Sequence, residues 1–308
     1  MDKSYHSPPP THISAMDESP GAVYPDIADI SHATPTAVEF FRHYFEAKSR
    51  HDADTWMLDF DTSKITYIDT VLGLSLGPAT FEATTRAIMA SWAGDAKSYP
   101  LRIIGDDESA VLFFEDTPEM FGTELRGVAA VDMENGKVIR QVDYWDGRRS
   151  PLAATRAPGS QHPTDFGESA VQQARSPNAV LQGVVKKLHA ALSKGDSSAA
   201  AVLFSVDAVW EDRTTRTLIE GRPAIERYLA RACSNLPYGI GSTIRHMVGG
   251  VQGGGYEWVG GPDAPARHGM TAFKLNESQQ VIFINSVWDA SYASDKAMME
   301  LALLAIEP

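Results

Sequence analysis

The segment Ile65-Thr-Tyr-Ile-Asp69 returns 143 residues later as Ala208-Val-Trp-Glu-Asp212, and that recurrence decides how the chain is built. Both are short runs of β-branched and aromatic residues closed by an aspartate, the pattern of a strand that ends in a turn. Outward from them, Thr34-Pro35 returns as Ser176-Pro177, Asp52 as Asp196, Phe60 as Phe204, Gly77 as Gly221 and Trp145-Asp146 as Trp288-Asp289. A nearly constant offset over such a length marks an internal duplication. Each copy has about 110 to 115 residues, close to the commonest size for a domain with its own core. The expected organisation is a first domain at 34–147, a linker at 148–175 and a second domain at 176–291. A flexible proline-rich tail at 1–33 and a C-terminal helix at 292–308 flank them.

Within each copy, a hydroxyl residue followed by proline predicts a helix start at Thr34-Pro35 and at Ser176-Pro177. Val38, Phe41 and Phe45 give the first helix an apolar face, and Leu181, Val184, Val185, Leu188 and Leu192 give one to the second. The strand ending in Asp69 or Asp212 follows, then a helix led by Gly77 or Gly221. Four β-patterned runs complete each copy: 98–104, 109–116, 123–133 and 137–146 in the first, and 242–250, 255–259, 267–275 and 280–289 in the second. The Asn-Gly pair at 135–136 predicts a tight hairpin. The fold class is α+β.

Composition narrows the function classes. A net charge of −13 should repel phosphate backbones, so no nucleic-acid partner is expected. No apolar run approaches the roughly 20 residues needed to span a bilayer, so no membrane partner is expected either. The N-terminus lacks an apolar signal region and Cys233 is the only cysteine, which predicts a cytoplasmic location without disulfides. No local ligand spacing suggests a metal, and the glycines at 249–255 lack the Lys-Ser/Thr of a phosphate loop, so neither metal nor cofactor is expected. Gly73-Leu-Ser-Leu-Gly77 matches a nucleophile elbow, but the antiparallel pattern that follows argues against the large parallel sheet such an elbow needs.

Helices first, a lone strand ending in Asp, a Gly-led helix and a long sheet ending in Trp-Asp are carried here by short motifs. They are Tyr67-Ile-Asp69 with Gly77, Trp210-Glu-Asp212 with Glu220-Gly221, and Gly136-Lys-Val-Ile139 leading to Trp145-Asp146. In this order the chain resembles the nuclear transport factor 2-like (NTF2-like), or SnoaL-like, superfamily. That resemblance implies two tandem cone-shaped domains, each a curved antiparallel sheet wrapped around helices with one apolar pocket. Polyketide cyclases, ketosteroid isomerase, scytalone dehydratase, and limonene and polyether epoxide hydrolases share this fold, as do proteins that only bind. The implied function is a cofactor-independent acid/base enzyme acting on a hydrophobic, oxygenated small molecule, such as a polyketide or terpenoid intermediate. Cyclisation, dehydration, isomerisation and epoxide opening all stay open, and the alternative is a non-catalytic ligand-binding or scaffold protein. Sheet pairing in the superfamily implies a pseudo-dimer within one chain, either a monomer or a homodimer.

Asp69 and Asp212 stand where the resemblance implies a general base, and burial raises a carboxyl toward neutral pKa. Copy two adds His246 and His268 where copy one aligns Ile103 and Arg126, an asymmetry that puts the expected site in copy two. There Asp212 would move protons with His246 and His268, Asn285 would polarise an oxygen, and Trp288 and Trp210 would line the pocket. In copy one Tyr67, Asp69 and Arg126, with Asp143 and Trp145, make a second candidate cluster. His246 and His268 read equally well as structural residues, and Trp145 and Trp288, which recur in both copies, read as core.

Overall fold

The structure, a computed structural model, describes residues 27–148, 150–152 and 176–307. Most of the expected tail and linker therefore lies outside the described residues. The first half runs β1 (Asp29–Ala33), α1 (Pro35–Ser49), α2 (Ala53–Met57), β2 (Thr66–Asp69), β3 (Leu74–Leu76) and α3 (Phe81–Ala90). It continues with β4 (Ser98–Gly105), β5 (Ser109–Asp116), α4 (Pro118–Phe121), β6 (Leu125–Glu134) and β7 (Lys137–Tyr144). The second half runs α5 (Ala179–Lys194), α6 (Ser197–Ala201), β8 (Phe204–Asp212), β9 (Thr217–Glu220) and α7 (Arg222–Ala232). After these come β10 (Thr243–Gly250), β11 (Gly253–Val259), β12 (His268–Leu275), β13 (Val281–Trp288) and α8 (Asp295–Leu304).

Local chemistry explains the paired helix starts. The Thr34 hydroxyl accepts from the Ala37 amide ahead of Pro35, as expected. In the second half the cap is Asn178, whose side chain accepts from the Val180 amide, so α5 begins two residues later than Ser176 predicts. Asp52 and Asp196 act as matched caps of α2 and α6, accepting from Thr55 and Ala199 amides at 3.0 and 2.9 Å.

Each half forms one sheet, ordered β1-β4-β5-β6-β7-β2-β3 and β10-β11-β12-β13-β8-β9. The sheets are mixed rather than purely antiparallel. β2 runs parallel to β7 and β8 parallel to β13, because each lone strand reaches the meander through a helical crossover instead of a hairpin. β1 corrects the expectation of a tail up to residue 33: it pairs parallel with β4, and the Asp29 carboxylate accepts from Arg102 at 2.7 Å and from Lys274 of the second half at 2.5 Å.

On its concave side each sheet wraps helices around an aromatic core, Phe41, Phe45, Trp56 and Phe60 in the first half and Trp210, Tyr238, Trp258 and Trp288 in the second. The other faces of the two sheets pack against each other through Ile104, Val111, Phe113 and Tyr144 on one side and Val248, Met270, Ala272 and Val287 on the other. α8 buries Met298 and Leu301 in the second core.

A candidate active site in the first cone

Strand alternation decides which side chains enter each cone, because neighbouring residues point to opposite faces. On β2, Tyr67 and Asp69 face inward beside Gln141 and Asp143 of β7, their direct partners in the ladder. The equivalent pairs in the second half are Trp210 with Ile284 and Asp212 with Ser286. The two cones therefore differ in chemistry at one matched pair, where Tyr67 and Gln141 of the first stand opposite Trp210 and Ile284 of the second, while the aspartate-led pair is polar in both.

In the first cone, the Tyr67 hydroxyl donates to Asp143 at 2.5 Å and the Gln141 amide donates to the same carboxyl at 2.9 Å. Tyr44 donates to Gln141 in turn. Asp69 accepts from the Val71 and Leu72 amides at 2.9 and 2.8 Å and from the Trp145 indole at 3.0 Å. Burial pushes the Asp69 carboxyl up to about 7, with the Asp143 charge adding to the rise and the Leu72 amide opposing it. Burial likewise raises Asp143 to about 6 against the hydrogen bonds from Tyr67 and Gln141. Lys48 and Asp116 add an ion pair at 3.0 Å, with the ammonium 5.1 Å above the Phe114 ring. A cavity of about 90 Å³ opens onto Asp69, Asp143, Tyr67, Lys48 and Asp116, walled by Trp56, Met89, Phe114 and Trp145.

Asp212 sits in different surroundings. It is fully buried and accepts from the Thr215 amide at 2.8 Å, the Tyr238 hydroxyl at 2.7 Å and the Trp288 indole at 3.2 Å. Burial raises its pKa, and these donors pull it back. Trp210, Tyr238 and Trp258 pack in a tilted series beside it, with successive ring centroids 6.1 and 5.5 Å apart. Its side chain is a packed element of the core.

The expected grouping of Asp212 with His246, His268 and Asn285 does not assemble. All three lie on the other face of the second sheet, against the first half. His246 bonds Asp132 at 2.8 Å, the His268 ring packs 6.2 Å from Tyr144, and the Asn285 amide donates to Glu211 at 2.7 Å. The repeat alignment also slips at His246. Ile104 and Val248 occupy the same layer between the sheets, so the counterpart of His246 is Arg102, not Ile103, and a slip of one residue reverses the face. Irregularities in both ladders, between Pro100 and Arg102 and between Ile244 and His246, hide this from a simple offset. Arg126 is likewise outside the cone. Its side chain is 55% exposed and pairs with Glu115 and Glu124, so it does not join Tyr67 and Asp69. Trp145 and Trp288 are buried and each donates to the strand-end aspartate of its own half. Ser75 is exposed on β3 and forms no elbow.

Lys48, Asp116 and Gln141 escaped the sequence reading. The contrast of Gln141 and Asp143 with Ile284 and Ser286 at matched strand positions was the available signal, since a buried polar pair in one copy and a smaller or apolar pair in the other marks the cone that keeps its chemistry. Among the described residues, no three or more His, Cys, Asp or Glu side chains are grouped to hold a metal ion. No described helix is long and apolar enough to cross a membrane.

No family model and no curated protein matches the chain. Solved structures do, each over about two fifths of it. A cystatin-like protein from Silicibacter pomeroyi is 16% identical, covering 41% of this chain and 85% of its own with a TM-score of 0.34. An NTF2-like protein of unknown function from Cytophaga hutchinsonii is 11% identical over 37% of this chain and 91% of its own, with a TM-score of 0.31. A steroid delta-isomerase from Pseudomonas aeruginosa is 11% identical over 43% and 93%, with a TM-score of 0.34. At such low similarity these are likenesses of fold and transfer no activity.

Proposed function

We propose that the first cone is an acid/base site for a small, apolar, oxygenated molecule, and that the second cone is its structural partner. The observation that carries this is one cavity onto which Asp69 and Asp143 both open from neighbouring positions of the β2–β7 ladder, with burial raising both carboxyls. Paired carboxyls in an apolar enclosure suit proton removal at carbon and polarisation of the adjacent oxygen. Asp69 is the base. The donor for the oxygen is the Tyr67 hydroxyl, which donates to Asp143 in the structure and would turn that proton to the substrate oxygen, leaving the Gln141 amide on Asp143, while Trp56 and Phe114 wall the substrate from water. The reaction is abstraction of a proton next to a carbonyl, the step shared by isomerisation and cyclisation.

Cyclohexanone in D2O tests this directly, because enolisation replaces its α-protons with deuterium. Proton NMR should show exchange accelerated by the native protein and slowed by about 100-fold or more in Asp69→Asn, the usual scale for a general base. Asp212→Asn should keep the exchange in whatever fraction of molecules stays folded. No acceleration by the native protein, or equal loss in both variants, would overturn the assignment.

The small size of the cavity favours a second reading, a binding protein without turnover. It predicts cyclohexanone binding with no exchange.

A further inference from the structure

A second space, of about 490 Å³, lies between the two halves. Thr123, Glu124, Leu125, Arg126 and Trp145 of the first half line it, Thr214, Thr215, Arg216, Met298 and Ala302 of the second close it, and Asp146, Arg148 and Ser150 lie at the junction. Its size is that of a typical small-molecule site. Two features give it a direction. Leu125 and Trp145 line both this cleft and the 90 Å³ cavity, so these two buried side chains form a wall common to the cleft and the space onto which Asp69 opens. The cleft also carries an excess of one positive charge on a chain of net charge −13, with three arginines against Glu124 and Asp146. Arg126 is spent on Glu115 and Glu124, and Arg148 on Asp146. Arg216, exposed in the turn after Asp212 with a left-handed backbone, has no carboxylate partner among the described residues.

We propose that the cleft between the halves is the entrance to the first cone and binds the carboxylate end of an amphiphilic ligand at Arg216, while the ligand's apolar end passes Leu125 and Trp145 into the cavity. This deepens the reading of the first cone as the ligand site and rests on that reading. A guanidinium with no carboxylate partner among the described residues suits a ligand carboxylate, which it can bind with two hydrogen bonds. Seating the apolar end swings the Trp145 indole away, and the same movement breaks its hydrogen bond to Asp69 and leaves that carboxyl facing the ligand. Entry and release of the base are then one event. The second half contributes Arg216, Met298 and Ala302 to the passage, so it supplies specificity without chemistry of its own.

The test is isothermal titration of the full chain with 4-phenylbutyrate and with its uncharged amide, 4-phenylbutyramide. The acid should bind at least about tenfold more tightly, a difference of about 1.4 kcal/mol. Arg216→Gln should remove most of that difference with an unchanged melting temperature, and added salt should weaken the acid alone. The Trp145 indole N–H signal, identified by its loss in Trp145→Phe, should shift as the acid binds. Equal affinities for acid and amide, no binding of either, an Arg216→Gln protein that binds like the native one, or an indole signal that stays in place would each overturn the proposal. The Asp69→Asn protein should still bind 4-phenylbutyrate. Ketone exchange without acid binding would sink the entrance and leave the base standing, whereas acid binding without exchange would do the reverse.

Discussion

At the scale of single residues, the two strand-end aspartates have the same backbone position and opposite uses. Asp69 keeps one face toward a cavity, whereas all of Asp212 is consumed by the Thr215 amide, Tyr238 and Trp288. Asp212→Asn turns one acceptor oxygen into a donor that faces Tyr238 and Trp288, so it should lower stability by about 1 to 3 kcal/mol, measured by urea unfolding. For Asp69 the pH dependence has a definite sign. Its folded pKa, near 7, lies above the ordinary carboxyl value of 3.8, so the native state favours the protonated form. The stability this contributes is complete below about pH 4 and is lost as pH rises through 7. Unfolding at pH 5 and pH 8 should therefore show native protein losing ground to Asp69→Asn on the alkaline side. Ketone exchange should rise over the same interval, since only the ionised carboxyl accepts a proton. The strand pattern made Asp69, Asp143 and Tyr67 legible as inward-facing candidates. It could not rank Asp69 above Asp212, because ranking depends on which aromatic rings arrive from elsewhere in the chain.

At the scale of elements, the two sheets share a device that holds an aromatic ring over a glycine on the next strand. Phe114 of β5 pairs with Gly127 of β6, and Trp258 of β11 pairs with Gly269 of β12. A methyl group added at either glycine would lie 2.3 Å from the ring opposite. Gly269→Ala should therefore displace Trp258 and destabilise the protein by about 1 to 3 kcal/mol, seen as a lower unfolding midpoint. Gly127→Ala should move Phe114, a wall of the cavity, and weaken binding of cyclohexanone as well. The main strands were legible from their alternation to within a few residues. β1, β3, β9 and α4 were not: each has five residues or fewer, too short for periodicity to register, and β1 is held by Arg102 and Lys274 from distant parts of the chain.

At the scale of the whole molecule, the halves are joined by a mixed apolar and charged layer between the sheets. Arg140, fully buried on β7, pairs with Glu257 of β11, and Tyr144 donates to the same carboxylate at 2.6 Å. Burial alone would raise the Glu257 pKa, but the Arg140 guanidinium and its neighbours hold it below the ordinary value. Near the Trp-Asp motifs the halves exchange caps: Asp289 accepts from the Gly147 amide at 3.1 Å, and Asp146 accepts from the Ala290 amide at 3.2 Å. Glu257→Ala leaves a buried guanidinium without its closest partner and should cost about 3 to 5 kcal/mol, whereas replacing Arg140 and Glu257 together with Met and Leu should restore most of it. Calorimetry of the single and double variants would check this. A double variant no better than the single one would mean the layer depends on the charges themselves. The sequence by itself determined the duplication, the α+β class, the order of elements and the inward face of most strands, because these follow from local periodicity and from a repeat that needs no third dimension. Only the tertiary structure decided that His246, His268 and Asn285 serve the joint between the halves, that aromatic rings fill the second cone, and that the cleft between the halves reaches Trp145. Those outcomes depend on which sheet face meets which, a property of packing between segments more than 100 residues apart, and no local pattern encodes it.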